Sequence, residues 1–538
     1  YDMLARIGAG IAPDQMQAER VWGHDPLAVI DVYRRKRQAL AENGGPILLD
    51  VLTYRLSGHS TSDQNAYRSK EELEAWQAAD PCIRYRAGLV SAGVAPDSDF
   101  EGILSEAEER MTKVCRWAAD ESISPYADFS KDYFIIERLM FSGEKRPSFG
   151  DSEPQALIPK EECPRVSQIK GKSRSAYGRD GKPVSKMKMY NIRDAIFEPL
   201  LDKFYEDSSL VSYGEDVRDW GGAFAVYRGL SEALPHSRLF NAPISEAAIV
   251  GTGVGYALSG GRAVVELMYC DFIGRAGDEV FNQLSKWQAM SAGILKMPVV
   301  LRVSVGSKYG AQHSQDWTAL CAHIPGLKVC FPATPYEARG LMAAALNSTD
   351  PVVFFESQRI YDMGELFHEG GVPEEPYELR FGDVSMIRRG SDITIITVGA
   401  TLYKAVEAAK ALEEKHGLSA ELINLHSLVP LDYTEIIRSV EKTGRVVLAS
   451  DACARGSFLN DVARNISELC FDFLDAPPVL VGAQNWITPP FEFDEFFFPQ
   501  ASWILDAIND KIVPLEGHKN TIPSFMPADQ IRRAKAGV

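Results

Sequence analysis

The run Met297-Pro-Val-Val-Leu-Arg-Val303 decides the fold. Side chains alternate across an extended chain, so consecutive aliphatic residues put apolar groups on both faces. A strand of that kind belongs inside a parallel sheet covered on each side by helices. Working outward, apolar strands recur at Ser209–Gly214, Arg262–Met268, Pro298–Val305, Gly326–Phe331 and Pro351–Glu356, with helical patterns between them. A further α/β unit starts at Asp392-Ile-Thr-Ile-Ile-Thr-Val-Gly399 and continues through a helix over Leu402–Lys415. A strand over Ser419–Leu425, a helix from Tyr433 and a strand over Arg445–Ser450 complete it. Upstream, Pro46–Tyr54 reads as one buried strand among helices. The fold class is α/β, with parallel sheets flanked by helices.

Composition divides the chain. Residues 1–145 form a first block. Residues 146–188, rich in Pro, Gly, Ser, Lys and Arg, read as a basic, flexible, solvent-exposed linker. Residues 189–380 and 381–520 are two α/β domains, followed by a tail at 521–538.

A net charge of −17 and a pI near 5.1 argue against nucleic acid and anionic membrane surfaces as partners. No apolar stretch reaches the ~20 residues that span a bilayer. Eight cysteines without a Cys-x-x-Cys pair suit a reducing cytoplasm and supply no zinc framework. The N-terminus carries neither a signal nor a transit peptide and starts in the pattern of mid-domain, so upstream sequence is expected.

Several residues could carry chemistry. Glu246 follows the turn Asn241-Ala-Pro243 and opens the apolar stretch from Ala247 to Leu258. A glutamate at a helix start is ordinarily a first-turn acid favoured by the helix dipole. One held out of water costs several kcal/mol unless it is paired, roughly, and so calls for a partner. Gly251, Gly253 and Gly255 are spaced G-x-G-x-G, with Tyr256 where a dinucleotide fingerprint needs a third glycine, so close helix packing is the expectation. His59, with Arg55, lies in the polar loop after the strand Pro46–Tyr54. Phosphate recognition and a plain Asx turn leading to a helix over Ser69–Ala79 both fit that loop. His313 lies in a polar loop after Pro298–Val305 and suits a proton donor. Glu215 and Asp216 close the strand ending at Gly214, either as a solvated turn or as acids coupled to Glu246. His313 and His323 lack the spacing of metal ligands.

Longer motifs add to this reading. SYGEDV (212–217), GGAF (221–224), APISEAAIVGTGVGYAL (242–258), QHSQ (312–315), HIPGLKVCFPATPYEARGL (323–341), DPVVFFE (350–356), LHSLVPLD (425–432) and SVEKTGRVVLASDA (439–452) resemble the β subunit of thiamine-diphosphate-dependent 2-oxoacid dehydrogenases. WGHDPLAVID (22–31), GGPILLDVLTYRLSGHSTSD (44–63) and AYRSKEELEAW (66–76) resemble the C-terminal half of the matching α subunit. The chain is thus similar to an α–β fusion. The resemblance implies a transketolase-like, thiamine-binding fold: part of a diphosphate domain in 1–145, a pyrimidine domain in 189–380 and a transketolase-type C-terminal domain in 381–520.

It also implies roles. Glu246 would hydrogen-bond the cofactor's pyrimidine ring, while His313 would act in transfer to a lipoyl group and Glu215 in proton relay. His59 and Arg55 would line the channel near the diphosphate, and Tyr269 joins the cofactor contacts. The implied reaction is oxidative decarboxylation of a 2-oxoacid with acylation of a lipoylated acyltransferase, in a homodimer of fused chains. The implied cofactors are thiamine diphosphate, magnesium and, through backbone carbonyls near Cys330, potassium. The family's Gly-Asp-Gly motif for magnesium and diphosphate is expected upstream of Tyr1, and Trp22 stands where α subunits carry Asp. Two other expectations stay open: a transketolase or deoxyxylulose-phosphate-synthase relative, and a non-catalytic assembly subunit.

Overall fold

The computed structural model describes residues 3–11, 15–42, 45–60, 62–178, 181–306 and 309–522. Thr61 of the histidine loop and the tail beyond residue 522 lie outside the described residues. The chain forms two compact units, 1–128 and 129–538. Residues 129–145, placed with the first block by composition, belong to the second unit. There the N–H groups of Ser142 and Gly143 donate to the buried carboxylate of Asp350.

In the first unit, β1 (Gln17–Trp22) pairs in parallel with β2 (Ile47–Leu52), and the helix Pro26–Ala41 crosses between them. Asp25 starts that helix by accepting from the N–H groups of Leu27 and Ala28, with Pro26 in the first turn where no N–H is needed. Three more helices follow, Lys70–Ala78, Pro81–Ser91 and Asp97–Ala119. The reading of Pro46–Tyr54 as a buried strand is corrected. No residue of β2 is fully buried, and Val51 and Leu52 are 36% and 39% exposed. Its apolar pattern asks for cover on both faces, and within this unit it has one partner strand among the described residues.

The second unit holds two sheets. The strands of the larger are β3 (Val211–Gly214), β4 (Leu239–Asn241), β5 (Ala263–Leu267), β6 (Val299–Val305), β7 (Lys328–Cys330) and β8 (Val352–Ser357). The smaller contains β9 (Ser385–Arg388), β10 (Ile393–Val398) and β11 (Ala420–Asn424). Next, β12 (Ser427–Val429) returns to the edge of the larger sheet, and β13 (Val446–Cys453) and β14 (Val479–Ala483) finish the smaller one. The larger sheet runs β12-β7-β8-β6-β5-β3-β4, parallel except for β12. The smaller runs β14-β13-β10-β11-β9, parallel except for β9. The expected strands are there, most trimmed by a residue or two at their ends, while β8 runs one residue and β13 three residues further than expected. Every residue of β5, β6 and β8 is buried, as continuous apolar runs require.

The stretch 146–188 departs from its reading as a flexible, exposed linker. It carries the helix Pro164–Lys170, and Cys163 and Ile169 join the core beside Phe197 and Leu200. Two of its arginines are held rather than solvated. The Arg165 guanidinium donates to the carbonyls of Ala225, Val226 and Arg228 and to Asp194, and Arg174 forms a two-pronged pair with Glu198. Composition misleads here because an arginine whose donors are all spoken for can be buried.

Among the described residues no helix is long and apolar enough to cross a membrane.

Candidate active site

The site in the second unit is built where β3 and β4 end. Asn241, the last residue of β4, accepts from the Arg218 N–H at 2.8 Å and donates to Asp219 at 2.6 Å. The Ala242 N–H then donates to the Gly214 carbonyl, tying the exit of β4 to the end of β3. Pro243 and Ser245 turn the chain into the helix Glu246–Leu258, whose first residue is Glu246. Two polar groups anchor that helix: the Tyr213 hydroxyl, from β3, reaches the Ile249 carbonyl at 3.1 Å and the Thr252 hydroxyl at 2.7 Å. Gly253 permits the close packing expected of the glycine series, since a Cβ there would lie 3.0 Å from Val265. Gly255 faces open space and plays no such part.

Glu246 is 9% exposed, yet its carboxylate makes no hydrogen bond or ion pair with any described residue. The Ser245 side chain does not cap the helix either. A second acid lies close enough to feel the charge of Glu246. Burial first, and then the charges of Glu246 and Asp216, hold the Glu215 carboxyl above the ordinary range. The structure thus brings Glu246 and Glu215 together. Asp216, at φ +55°, turns the chain sharply after them. Large apolar side chains stand open beside these acids in sequence, with Trp220 71% and Ile244 82% exposed.

Tyr269 and His313 are brought together as well, by a different pair of strand ends. Tyr269 follows β5, and its ring meets that of His313 edge-on at 4.6 Å between centroids. Phe272 at 5.3 Å from His313, with Phe224 and Tyr309 against Tyr269, completes an aromatic cluster. Burial pushes the Tyr269 hydroxyl up to about 12, so it stays protonated. The histidine loop is fixed from below. Asp271 accepts from the Gln315 N–H, and the Trp317 N–H donates to the Cys270 sulfur at 3.3 Å. The Gln315 side chain reaches Thr488 at 2.7 Å. Burial raises Asp271 above the usual carboxylate range. Cys330, near which a cation was expected, is buried within β7, and Thr334 caps the helix Pro335–Asn347.

Arg55 and His59 belong to the first unit and are described there by themselves. The Arg55 guanidinium donates to the His59 carbonyl at 2.8 Å, with Nη1 3.5 Å from the His59 ring. Asp63 organises the turn by accepting from the N–H groups of His59 and Asn65 and from the Tyr67 hydroxyl. Those donors, the His59 N–H first, hold its carboxyl below the usual range. Arg68 closes the loop by donating to the Arg55 carbonyl while lying over the Tyr54 ring. Trp22 extends an aromatic stack, 5.7 Å from Trp76, which lies 4.5 Å from Tyr54.

Sequence reasoning missed a buried ionic cluster next to the acids. Arg302 on β6 pairs with Glu266 on β5 and Glu356 on β8, all three at most 6% exposed. The available signal was a single arginine and a single glutamate inside otherwise apolar strands, because a charge there must be paired.

The comparisons with known proteins agree with this architecture. Residues 188–363 match the family described as the transketolase pyrimidine binding domain, and 382–504 the transketolase C-terminal domain. Residues 12–125 match the dehydrogenase E1 component. The acetoin:2,6-dichlorophenolindophenol oxidoreductase subunit beta of Cupriavidus necator is 38% identical over 332 residues, which cover 59% of this chain and 96% of that protein. The 2-oxoisovalerate dehydrogenase subunit beta of Bacillus subtilis is 38% identical over 54% of this chain and 88% of its own length. The pyruvate dehydrogenase E1 component subunit beta of Bacillus subtilis is 33% identical, over 58% and 95%.

Proposed function

Given that the chain belongs to the family of β subunits of acetoin and 2-oxoacid dehydrogenases, fused behind an E1 α-like segment, we propose that it is the decarboxylating component of a 2-oxoacid dehydrogenase complex. The observation that carries the proposal is Glu246, an acid at a helix start that is 9% exposed, has no partner among the described residues and lies near a second acid. An acid so placed fits a heterocycle with a nitrogen that must be protonated in a dry pocket. Thiamine diphosphate would be held at its pyrimidine end by Glu246, beside Glu215 and Tyr269, and when bound it supplies the carbon nucleophile for a 2-oxo group.

The chain's own residues then divide the work. Glu246 holds a proton at the pyrimidine nitrogen, and Glu215 resupplies Glu246. His313, held edge-on between the Tyr269 and Phe272 rings, delivers a proton during acyl transfer to the lipoyl group of an acyltransferase partner. Arg55 and His59 serve the diphosphate and the incoming lipoyl arm. Magnesium would accompany the diphosphate, potassium would bind backbone carbonyls near Cys330, and the working unit is a dimer of fused chains in the cytoplasm.

The test is 2-oxoacid decarboxylation with a dye as electron acceptor, with and without thiamine diphosphate and magnesium. Turnover should require the cofactor and fall by about 100-fold or more in Glu246→Gln at an unchanged circular dichroism spectrum. An intact chain without cofactor-dependent turnover on any 2-oxoacid, or a Glu246→Gln variant of full activity, overturns the reading.

A further inference from the structure

Strand register lays a row of charge across the middle of the larger sheet. Gly214 on β3 lies opposite Glu266 on β5, and Glu266 opposite Arg302 on β6. On the next strand Glu356 stands opposite Ser304, two residues further along. The Arg302 guanidinium gives Nε and Nη2 to the two oxygens of Glu356, both at 2.7 Å, and only Nη1 to Glu266 Oε2, at 2.5 Å. Glu356 receives a third donor from the Tyr361 hydroxyl at 2.7 Å. Glu266 Oε1 receives none from the described residues and is buried.

One cation therefore serves two carboxylates in a dry interior, and the weaker share falls to Glu266. The excess negative charge is removed most cheaply by a proton on the carboxylate with fewer donors. Geometry favours that answer over a trapped water, since the side chains around Arg302 enclose no water-sized space. Burial pushes Glu266 up to about 7, opposed by Arg302 and reinforced by Glu356 and Glu215. The other titratable groups facing it are Tyr227, whose ring lies 4.7 Å beneath Arg302, and Tyr361. Burial raises both hydroxyls, so neither titrates in the same range.

The row points outward at one end only. Gly214 has no side chain, and a Cβ there would come within 2.9 Å of the Glu266 Cβ, so Glu266 lies directly against the end of β3. The next residue is Glu215, which faces Glu246. We propose that Glu266 stores a proton whose release is coupled through charge to the ionisation of Glu215, and that it is thereby a positioning residue for the protonation state of Glu246. When Glu266 ionises its O–H bond breaks and the proton passes to solvent; no electrons move, and the charge left behind raises the cost of ionising Glu215. The link to Glu246 rests on the proposed function, whereas the stored proton does not.

The proton can be read without cofactor or substrate, by infrared difference spectroscopy of the intact chain titrated from about pH 5 to about pH 9. The wild type should lose a carboxylic C=O band with a midpoint near 7. That band should be missing in Glu266→Gln, which copies the neutral acid. In Glu215→Gln, where Glu266 and its surroundings remain, the midpoint should move to lower pH because a neighbouring negative charge is gone. Asp316, which burial raises to about 6, contributes a separate component; a component near 7 that persists in Glu266→Gln, or a midpoint unmoved in Glu215→Gln, overturns the proposal. If Glu266→Gln fails to fold, the Glu215→Gln midpoint alone decides. In chain that shows thiamine-dependent turnover, Glu266→Gln should also erase an ionisation near 7 from the pH profile, and an unaltered profile refutes the link to Glu246.

Discussion

Replacing Arg302 by methionine should destabilise the second unit in a way that depends on pH. The two side chains are similar in volume, so the change removes charge and hydrogen bonds more than packing. Arg302 is 2% exposed and makes three hydrogen bonds to two buried carboxylates. Removing one member of a buried pair costs about 3–5 kcal/mol, because the partner is left charged in a poor solvent. Here two partners are stranded, and each can escape only by binding a proton.

The wild type sets the baseline. Glu266 moves from an ordinary 4.5 to about 7 on folding, so the folded chain holds an extra proton between those values. Stability therefore falls by roughly 3 kcal/mol as pH rises through that window and levels off above it. In Arg302→Met both carboxylates must be protonated in the folded state, and the cost of the second grows by about 1.4 kcal/mol per pH unit above its unfolded value. Because the wild type levels off near 7 and the variant does not, the loss relative to wild type should be larger at pH 8 than at pH 6 by up to about 4 kcal/mol. Urea denaturation midpoints of wild type and variant at the two pH values measure this directly. Equal losses at both would refute the reasoning, since lost packing or hydrogen bonding alone carries no proton dependence.

Two further outcomes follow from the geometry. Gly222 sits at φ +78°, and a Cβ there would lie 3.2 Å from the Tyr227 ring and 3.3 Å from Glu266 Oε1, so Gly222→Ala should cost about 1–3 kcal/mol. A thermal midpoint within a degree or so of wild type would contradict that. His313→Gln should leave dye-linked decarboxylation nearly intact while lowering acyl transfer to a lipoylated acceptor by about 100-fold; equal losses in the two assays would remove His313 from the transfer step.

The strands of the larger sheet and their parallel arrangement were legible because a run such as Val299–Val305 has one physical solution: a strand covered on both faces. The place of Glu246, first in its helix and 9% exposed, was legible for a related reason, as an acid set against apolar sequence. The stretch 146–188 was not, because composition counts arginines without saying where their donors go. Arg165 is 8% exposed, and its guanidinium is satisfied by three carbonyls and Asp194, none adjacent to it in sequence. The Arg302 cluster escaped for the same cause. Its partners lie 36 and 54 residues away, and only strand register brings them together.

That pattern bears on how the acids work together. Arg302 interrupts the run that fixes the fold, and Glu266 interrupts its neighbour. Hydrophobic residues at both positions would make an equally good sheet and, by the usual balance for buried ion pairs, a more stable one. Charges retained at that cost need a use for which aliphatic side chains cannot substitute. A carboxylate left short of donors beside the end of β3 provides one, because up to a pH of about 7 it keeps a proton at the strand next to the one Glu215 follows. On this argument a variant that turns the cluster apolar, with Met at 302 and Leu at 266 and 356, should fold at least as tightly as wild type yet lose the ionisation near 7. A variant that loses stability instead would show that the cluster is there to hold the sheet, and the case for a stored proton would fall with it.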